Sequence, residues 1–355
     1  MTAEEAAEII KSAIKKVIPE SEVICVPLAD GGEGTVKALT AANGGRLISK
    51  SVSDPLGRRV EAQFGIAGDT AFLEMAAASG MVLLTPEERD PMLTSTYGTG
   101  EMILEALSHG ADHIIIGIGG SATNDGGTGM AEALGYRFFD RDGNQLSGLC
   151  GGMLKQIARI DGSKADERIK NCRFTIASDV NNPLLGTNGC VAVFSGQKGA
   201  TSEMKAELEA GLENLLCILR KQKFITSDVP GDGAAGGLGL GLRAFCNAVI
   251  ESGARLAIAA TGLEEKMQNA DYLITGEGCS DDQTGNGKLC SEVQKSCERC
   301  HVKCIMLSGK VIGDDFPGFH LVRATVAAET PFEEIKPHTR ELLFLAAEKL
   351  AAELK

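Results

Sequence analysis

The sequence predicts an α/β protein of two domains. Short apolar runs, such as Ile114 to Ile118 and Arg173 to Ala177, alternate with amphipathic stretches of helical spacing, the pattern of helices layered on mainly parallel sheets. Several of these runs empty into a turn rich in glycine and carboxylate and then into a helix start. In open α/β sheets ligands gather at such carboxyl ends of strands. At 355 residues the chain exceeds what one core usually covers, so two domains are expected.

Taken in order, Thr2 with Glu5 forms a capping box, and Ala6, Ile9, Ile10, Ala13, Ile14 and Val17 make one apolar stripe, which predicts a first helix. Glu22 to Leu28 reads as a strand, followed by the turn Ala29-Asp30-Gly31-Gly32-Glu33-Gly34 and a helix from Thr35 to Ala42. Arg46 to Met75 reads as a β-meander with turns at Asp54-Pro55-Leu56-Gly57 and Gly68-Asp69. Ile103, Leu104 and Leu107 share a face and place a helix from Gly98 to His109. Arg173 to Ala177 is a buried strand emptying into Ser178-Asp179-Val180-Asn181-Asn182-Pro183, and Ser195-Gly196-Gln197-Lys198-Gly199 is a polar turn before a helix from Thr201 to about Lys221. Gly231 to Gly241 opens a helix through Leu242, Phe245 and Val249. Strands at Asp271 to Thr275, Val302 to Leu307 and Leu321 to Val326 alternate with helices starting near Leu289 and Pro337.

The chain is organised around Ile114 to Gly135, IIIGIGGSATNDGGTGMAEALG. A doubly buried strand suits the continuous isoleucine run. Gly119, Gly120, Ser121, Ala122, Thr123, Asn124, Asp125, Gly126 and Gly127 then form a loop, and Met130, Ala131 and Leu134 lie on one helical face before the stop at Gly135. Strand, loop and helix start in that order let backbone N–H groups and the helix dipole converge on an anion. Glycine turns are more often structural than functional. Here the density of Ser121, Thr123, Asn124 and Asp125 in one turn favours a site.

Composition narrows the function. A formal charge of −13 with no basic tract argues against nucleic-acid and anionic-membrane partners. The mean hydropathy of +0.01 and 43% hydrophobic content describe a soluble globular chain, and no stretch reaches the ~18 apolar residues of a membrane span. The acidic, amphipathic start is unlike a signal peptide, so the eleven scattered cysteines read as reduced thiols of a cytoplasmic protein.

Carboxylates recur at strand-to-loop transitions: Asp30, Glu33, Asp125, Asp179, Glu277 and Asp281. Each alone is as well explained by helix capping; together they suit Mg²⁺ binding or proton transfer from a hydroxyl. With glycine nests and the cations Lys198, Lys288 and Arg89, they are what phosphoryl transfer requires. Gly287-Lys288 is followed by Leu289 with no glycine at the required upstream position, which excludes a P-loop kinase. Gly231-Asp232-Gly233-Ala234-Ala235-Gly236 fits the dinucleotide pattern, but Thr226 to Pro230 before it is no strand, so Gly233 and Gly236 read as lining a ligand rather than as a Rossmann fingerprint; a dinucleotide-dependent dehydrogenase rests on that stretch alone. Cys297-Glu298-Arg299-Cys300-His301 with Cys304 matches haem or zinc spacing by coincidence, and His109, His113, His320 and His338 read as surface residues.

The segments PLADGGEGTVKAL (Pro27 to Leu39), FLEMAAASG (Phe72 to Gly80), RDPMLTSTYGTGEMI (Arg89 to Ile103), IIIGIGGSATNDGGTGM (Ile114 to Met130), SDVNNPLLGTNG (Ser178 to Gly189), QKGAT (Gln197 to Thr201), PGDGAAGGLG (Pro230 to Gly239) and ITGEG with Asp281, Gln283, Gly287 and Lys288 resemble the type I glycerate kinases of bacteria. The resemblance spans nearly the whole chain. It implies ATP-dependent, Mg²⁺-assisted phosphorylation of D-glycerate, most often on the 2-hydroxyl, with 3-phosphoglycerate as the alternative product; a homo-oligomer is compatible with it. It also implies a Rossmann- or flavodoxin-like domain from the terminal segments, set at 1–62 and 265–355, and an inserted α/β domain, 63–264, with the active site in the cleft. On this likeness Asp179 and Asp125 are Mg²⁺ ligand or general base. Gly119, Gly120, Ser121, Thr123 and Asn124 cradle phosphate, Lys198 and Lys288 neutralise it, and Asp30, Gly31, Gly32, Glu33, Glu277 and Asp281 line the site from the other domain.

Two departures from the family pattern carry expectations. Members usually begin with a further strand and a turn holding Asp, Ser and Lys, whereas this chain starts at the helix; without that strand apolar faces should be exposed, and a non-catalytic relative that only binds nucleotide or hydroxy acid is the alternative function. Cys279 stands where an arginine usually follows Gly-Glu-Gly, which removes a cation.

Overall fold

The computed structural model describes residues 1–28, 34–280, 289–313 and 315–355. The expectations for Asp30, Gly31, Gly32, Glu33, Asp281 and Lys288 fall outside the described residues. The chain forms two compact units, Met1–Asp30 with Ala254–Lys355, and Gly31–Gly253. These bounds differ from the expected 62/63 and 264/265. The first of those would cut the strand Arg59–Ala67, which pairs along its length with Arg46–Ser53.

In the unit of terminal segments, helix α1 (Ala3–Val17) starts on the expected capping box: Thr2 Oγ1 accepts from Glu5 N, and Glu5 Oε2 accepts from Thr2 N. Three parallel strands, Tyr272–Thr275, Lys303–Ser308 and Leu321–Ala324, lie in that order. Alternation divides the central strand between two cores. Ile305 and Leu307 pack with Ala13 of α1 and with Leu343, Ala347 and Leu350 of the closing helix Thr339–Leu354. Cys304 points the other way, against Val293 and Cys297 of the helix Leu289–Cys300. Both faces are therefore covered, as a parallel sheet needs. The segment Glu22–Leu28 pairs with no strand among the described residues, correcting the expected strand; Val26 and Leu28 instead pack on the core around Val293.

The other unit is built on a six-stranded sheet. Strands β1 (Arg46–Ser53), β2 (Arg59–Ala67) and β3 (Thr70–Glu74) form the expected antiparallel meander, and β4 (His113–Gly117) joins β3 in parallel. Arg173–Ala177 pairs in parallel with β4, and Val249–Glu251 with Arg173–Ala177. That last strand was expected as the end of a helix. The helix Ala234–Cys246 stops at Asn247, whose φ of 53° and ψ of 37° are left-handed, and the chain re-emerges extended. Ile114, Ile116, Phe174 and Ile176 are fully or almost fully buried in this sheet, so the apolar runs are central strands. The helices Tyr97–Ser108 and Ser202–Lys221 close the core with Met102, Ile103, Leu212, Leu215 and Leu219. Because β3, β4, Arg173–Ala177 and Val249–Glu251 all run in one direction, their carboxyl ends open at one edge.

Candidate active site

The loop after β4 stands at that edge and is held from several sides. Met81 N donates to Gly120 O at 2.9 Å, Ala122 N to Ser79 O at 3.0 Å, and Thr94 Oγ1 to Ala122 O at 2.9 Å. Gly119 and Gly120 are exposed, whereas every residue from Ser121 to Met130 is buried. Gly120 sits at φ +73°, a conformation glycine adopts without strain.

Lys198 lies beneath this loop, 2% exposed. Its Nζ donates to Ser121 Oγ at 2.8 Å and to Thr123 O at 2.6 Å. Among the described residues it forms no ion pair. Burial pulls its ammonium down from 10.5 to about 8, against weaker opposing pulls from Cys190 and Asp125. A lysine has three donors, and a buried one held by two neutral oxygens is poorly compensated. Thr123 Oγ1 and Asn124 Oδ1 are buried beside it with no hydrogen-bond partner among the described residues. Arg89 adds a second cation: its Nε is buried with no partner among the described residues, and its backbone packs on the turn after Lys198, where a Cβ on Gly199 would come within 2.0 Å of Arg89 O.

Asp125 is engaged by the protein's own donors. It is fully buried, and Oδ2 accepts from Thr96 N at 2.8 Å, Thr96 Oγ1 at 2.7 Å and Gly129 N at 3.2 Å, while Oδ1 accepts from Gly127 N at 3.1 Å. Desolvation pushes its carboxyl up and the donors restrain the rise. With donors on both oxygens, Asp125 ties the loop to Thr96 and to the start of the helix Thr128–Ala133.

Asp179 is half-buried, two residues past Ala177, whose register partner on β4 is Gly117. The carboxylate and the loop thus rise from neighbouring strand ends. Ser252 Oγ donates to Asp179 Oδ1 at 2.7 Å. The glycine turn at 231–237 braces the two. Asn182 O accepts from Gly231 N and Gly233 N, each at 3.2 Å, and Gly126 N donates to Gly236 O at 3.1 Å. At Gly233 and Gly236, expected to line a ligand, a Cβ would meet Pro183 O at 2.1 Å and Thr123 O at 1.9 Å. Between them Asp232, fully buried, is held by Arg243 Nη1 at 2.7 and 2.8 Å, so the dinucleotide pattern is an internal brace.

The family model for the glycerate kinase family matches residues 1–355. The chain belongs to the glycerate kinase family. It is 44% identical to the glycerate 2-kinase of Escherichia coli (strain K12) over 317 residues, 88% of this chain and 83% of that protein. It is 42% identical to the glycerate kinase of Bacillus subtilis (strain 168) over 362 residues, covering 100% and 94%. Among solved structures, a glycerate kinase 2 from Salmonella typhimurium LT2 superposes with a TM-score of 0.87 at 40% identity, over 100% of this chain and 94% of that one.

As a glycerate kinase family member, the chain gathers Arg89, Ser121, Thr123, Asn124, Asp125, Asp179 and Lys198 in one unit. Glu277 belongs to the other, where its Oε1 accepts from Ser280 Oγ at 3.0 Å and its carbonyl from Gly309 N at 2.9 Å. Cys279 lies exposed in that unit, its register partner Lys310. No group of His, Cys, Asp and Glu suited to a metal ion occurs among the described residues, the Cys297 to Cys304 cluster included. Three residues of the edge escaped sequence reasoning. Thr96 has a signal in the hydroxyl-rich run Thr94-Ser95-Thr96, and Glu74 ends a strand and accepts from Val36 N at 2.9 Å at the start of α2 (Thr35–Ala42). Ser252 had no signal, because its strand was read as helix.

Proposed function

We propose that the chain is a D-glycerate kinase that transfers the γ-phosphoryl group of ATP to the 2-hydroxyl, giving 2-phosphoglycerate. The observation that carries this reading is Lys198: a buried ammonium without an ion pair among the described residues, braced under a loop with unpartnered Thr123 and Asn124 oxygens, at the carboxyl edge where Asp179 stands. Membership in the glycerate kinase family supplies the reaction class. The E. coli relative, named a glycerate 2-kinase, favours the 2-hydroxyl.

In this reading the substrate hydroxyl gives its proton to Asp179 as its oxygen bonds to phosphorus and the bond to ADP breaks. Ser121, Thr123 and Asn124 orient the reacting groups, Lys198 offsets the charge that builds on the phosphoryl oxygens, and Arg89 pairs with the carboxylate of the hydroxy acid. Of the two expected magnesium residues, Asp125 is engaged by Thr96, Gly127 and Gly129, and Asp179 by Ser252. Magnesium would come with the nucleotide, as MgATP, and would offset charge on the phosphates. The test is ADP release with D-glycerate and MgATP, with NMR of the product. Asp179→Asn is expected to lower kcat by on the order of 10²–10⁴. A folded wild-type protein that releases no ADP above background rejects the reading.

A further inference from the structure

The carboxyl edge holds a hydroxyl that no part of the reaction above employs. Val249–Glu251 pairs with Arg173–Ala177 so that Ala177 lies opposite Glu251, and Ser178 N donates to Glu251 O at 3.1 Å beyond the last ladder pair. The register carries Ser252 to Asp179, where its Oγ donates to Oδ1 at 2.7 Å. That length is an ordinary O–H···O hydrogen bond, which strengthens when the accepting carboxylate is ionised. Asp179 sits in a loop two residues beyond Ala177, the last residue of the ladder, and the orientation of its carboxylate depends on side-chain contacts as well as on the backbone. A two-pronged attachment, main chain through Ser178 and side chain through Ser252, restricts that orientation. We infer that Ser252 is a positioning residue, which fixes the carboxylate of Asp179 in the orientation from which it receives the substrate proton.

This inference rests on Asp179 being the proton acceptor, and the experiment separates the two. Ser252→Ala, Ser252→Thr and Asp179→Asn are compared for kcat, for KM toward D-glycerate and for thermal midpoint. Ser252→Ala is expected to lose about tenfold in kcat, as partners that orient a reacting group commonly do, with KM and the thermal midpoint near wild type. Ser252→Thr, which keeps the donor, is expected to recover most of the loss. Wild-type kcat in Ser252→Ala, with Asp179→Asn inactive, overturns the positioning role and leaves the base intact. So does a loss that appears only in KM or in the midpoint, or that Thr does not restore. Full activity in Asp179→Asn overturns the base, and the role of Ser252 with it.

Discussion

At the scale of single residues, Lys198 has opposite consequences for activity and for stability. Its ordinary value is 10.5 and burial lowers it to about 8 in the folded chain. If the charged ammonium meets the transferred phosphoryl group, kcat/KM falls as pH rises through about 8. Between about 8 and 10.5 the unfolded chain keeps a proton that the folded chain has released, so folding stability gains with rising pH. The desolvation penalty is present in full below that window and absent above it. A pH–rate profile and a pH series of thermal midpoints, each compared with Lys198→Met, isolate the two trends. The variant is expected to lose both and to lower kcat by on the order of 10²–10³. Matching pH trends in the variant and the wild type would deny Lys198 this role. The isolated QKGAT segment shows a lysine in a turn; its burial depends on Ser121 and Thr123, more than seventy positions away, and no local pattern carries that.

At the scale of elements, the site is a set of turns locked back to back. Gly236, at φ +67°, lets the 231–237 turn press against Thr123 and Asn124, and Gly126 N closes the contact on Gly236 O. Gly236→Ala is expected to cost about 2 kcal/mol or more, since an L-residue is strained there and its Cβ meets a carbonyl. Chemical denaturation reads this, and an unshifted midpoint would contradict the lock. Asp125→Ala leaves Thr96 N, Gly127 N and Gly129 N unpaired in the interior, with an expected loss of about 3 kcal/mol or more. Asp125→Asn is expected to lower stability while the Mg²⁺ dependence of any residual turnover stays as in wild type. A shifted Mg²⁺ requirement would return Asp125 to the metal. Elements with a long or continuous signal were legible. The capping box placed α1, the isoleucine run placed β4, and Arg173 to Ala177 was read to the residue. Short elements were not, because three residues of Val249–Glu251 after a glycine-rich helix offer no periodicity, and alternation in Glu22–Leu28 does not supply a pairing partner.

At the scale of the molecule, the order of strands decides what can meet. Four parallel strands bring the loop after β4, the Asp179 turn and Ser252 to one edge, although they lie between 117 and 252 in the chain. The α/β class was legible because apolar runs and helical stripes alternate throughout. The unit bounds were not, since no linker marks them, and they follow from pairing: β2 cannot be shared between two units while it is laddered to β1 along its length. The same folding sorts the acidic residues that looked alike in sequence. Asp125 became a structural tie because three backbone N–H groups and a threonine hydroxyl converge on it, and Asp179 kept a half-exposed place at the strand end. The most direct test of the whole account is the rate of ADP release with D-glycerate and MgATP, measured side by side for wild type and Asp179→Asn. The account predicts turnover by the wild type and a drop on the order of 10²–10⁴ in the variant with its fold intact; equal rates in the two proteins would contradict it.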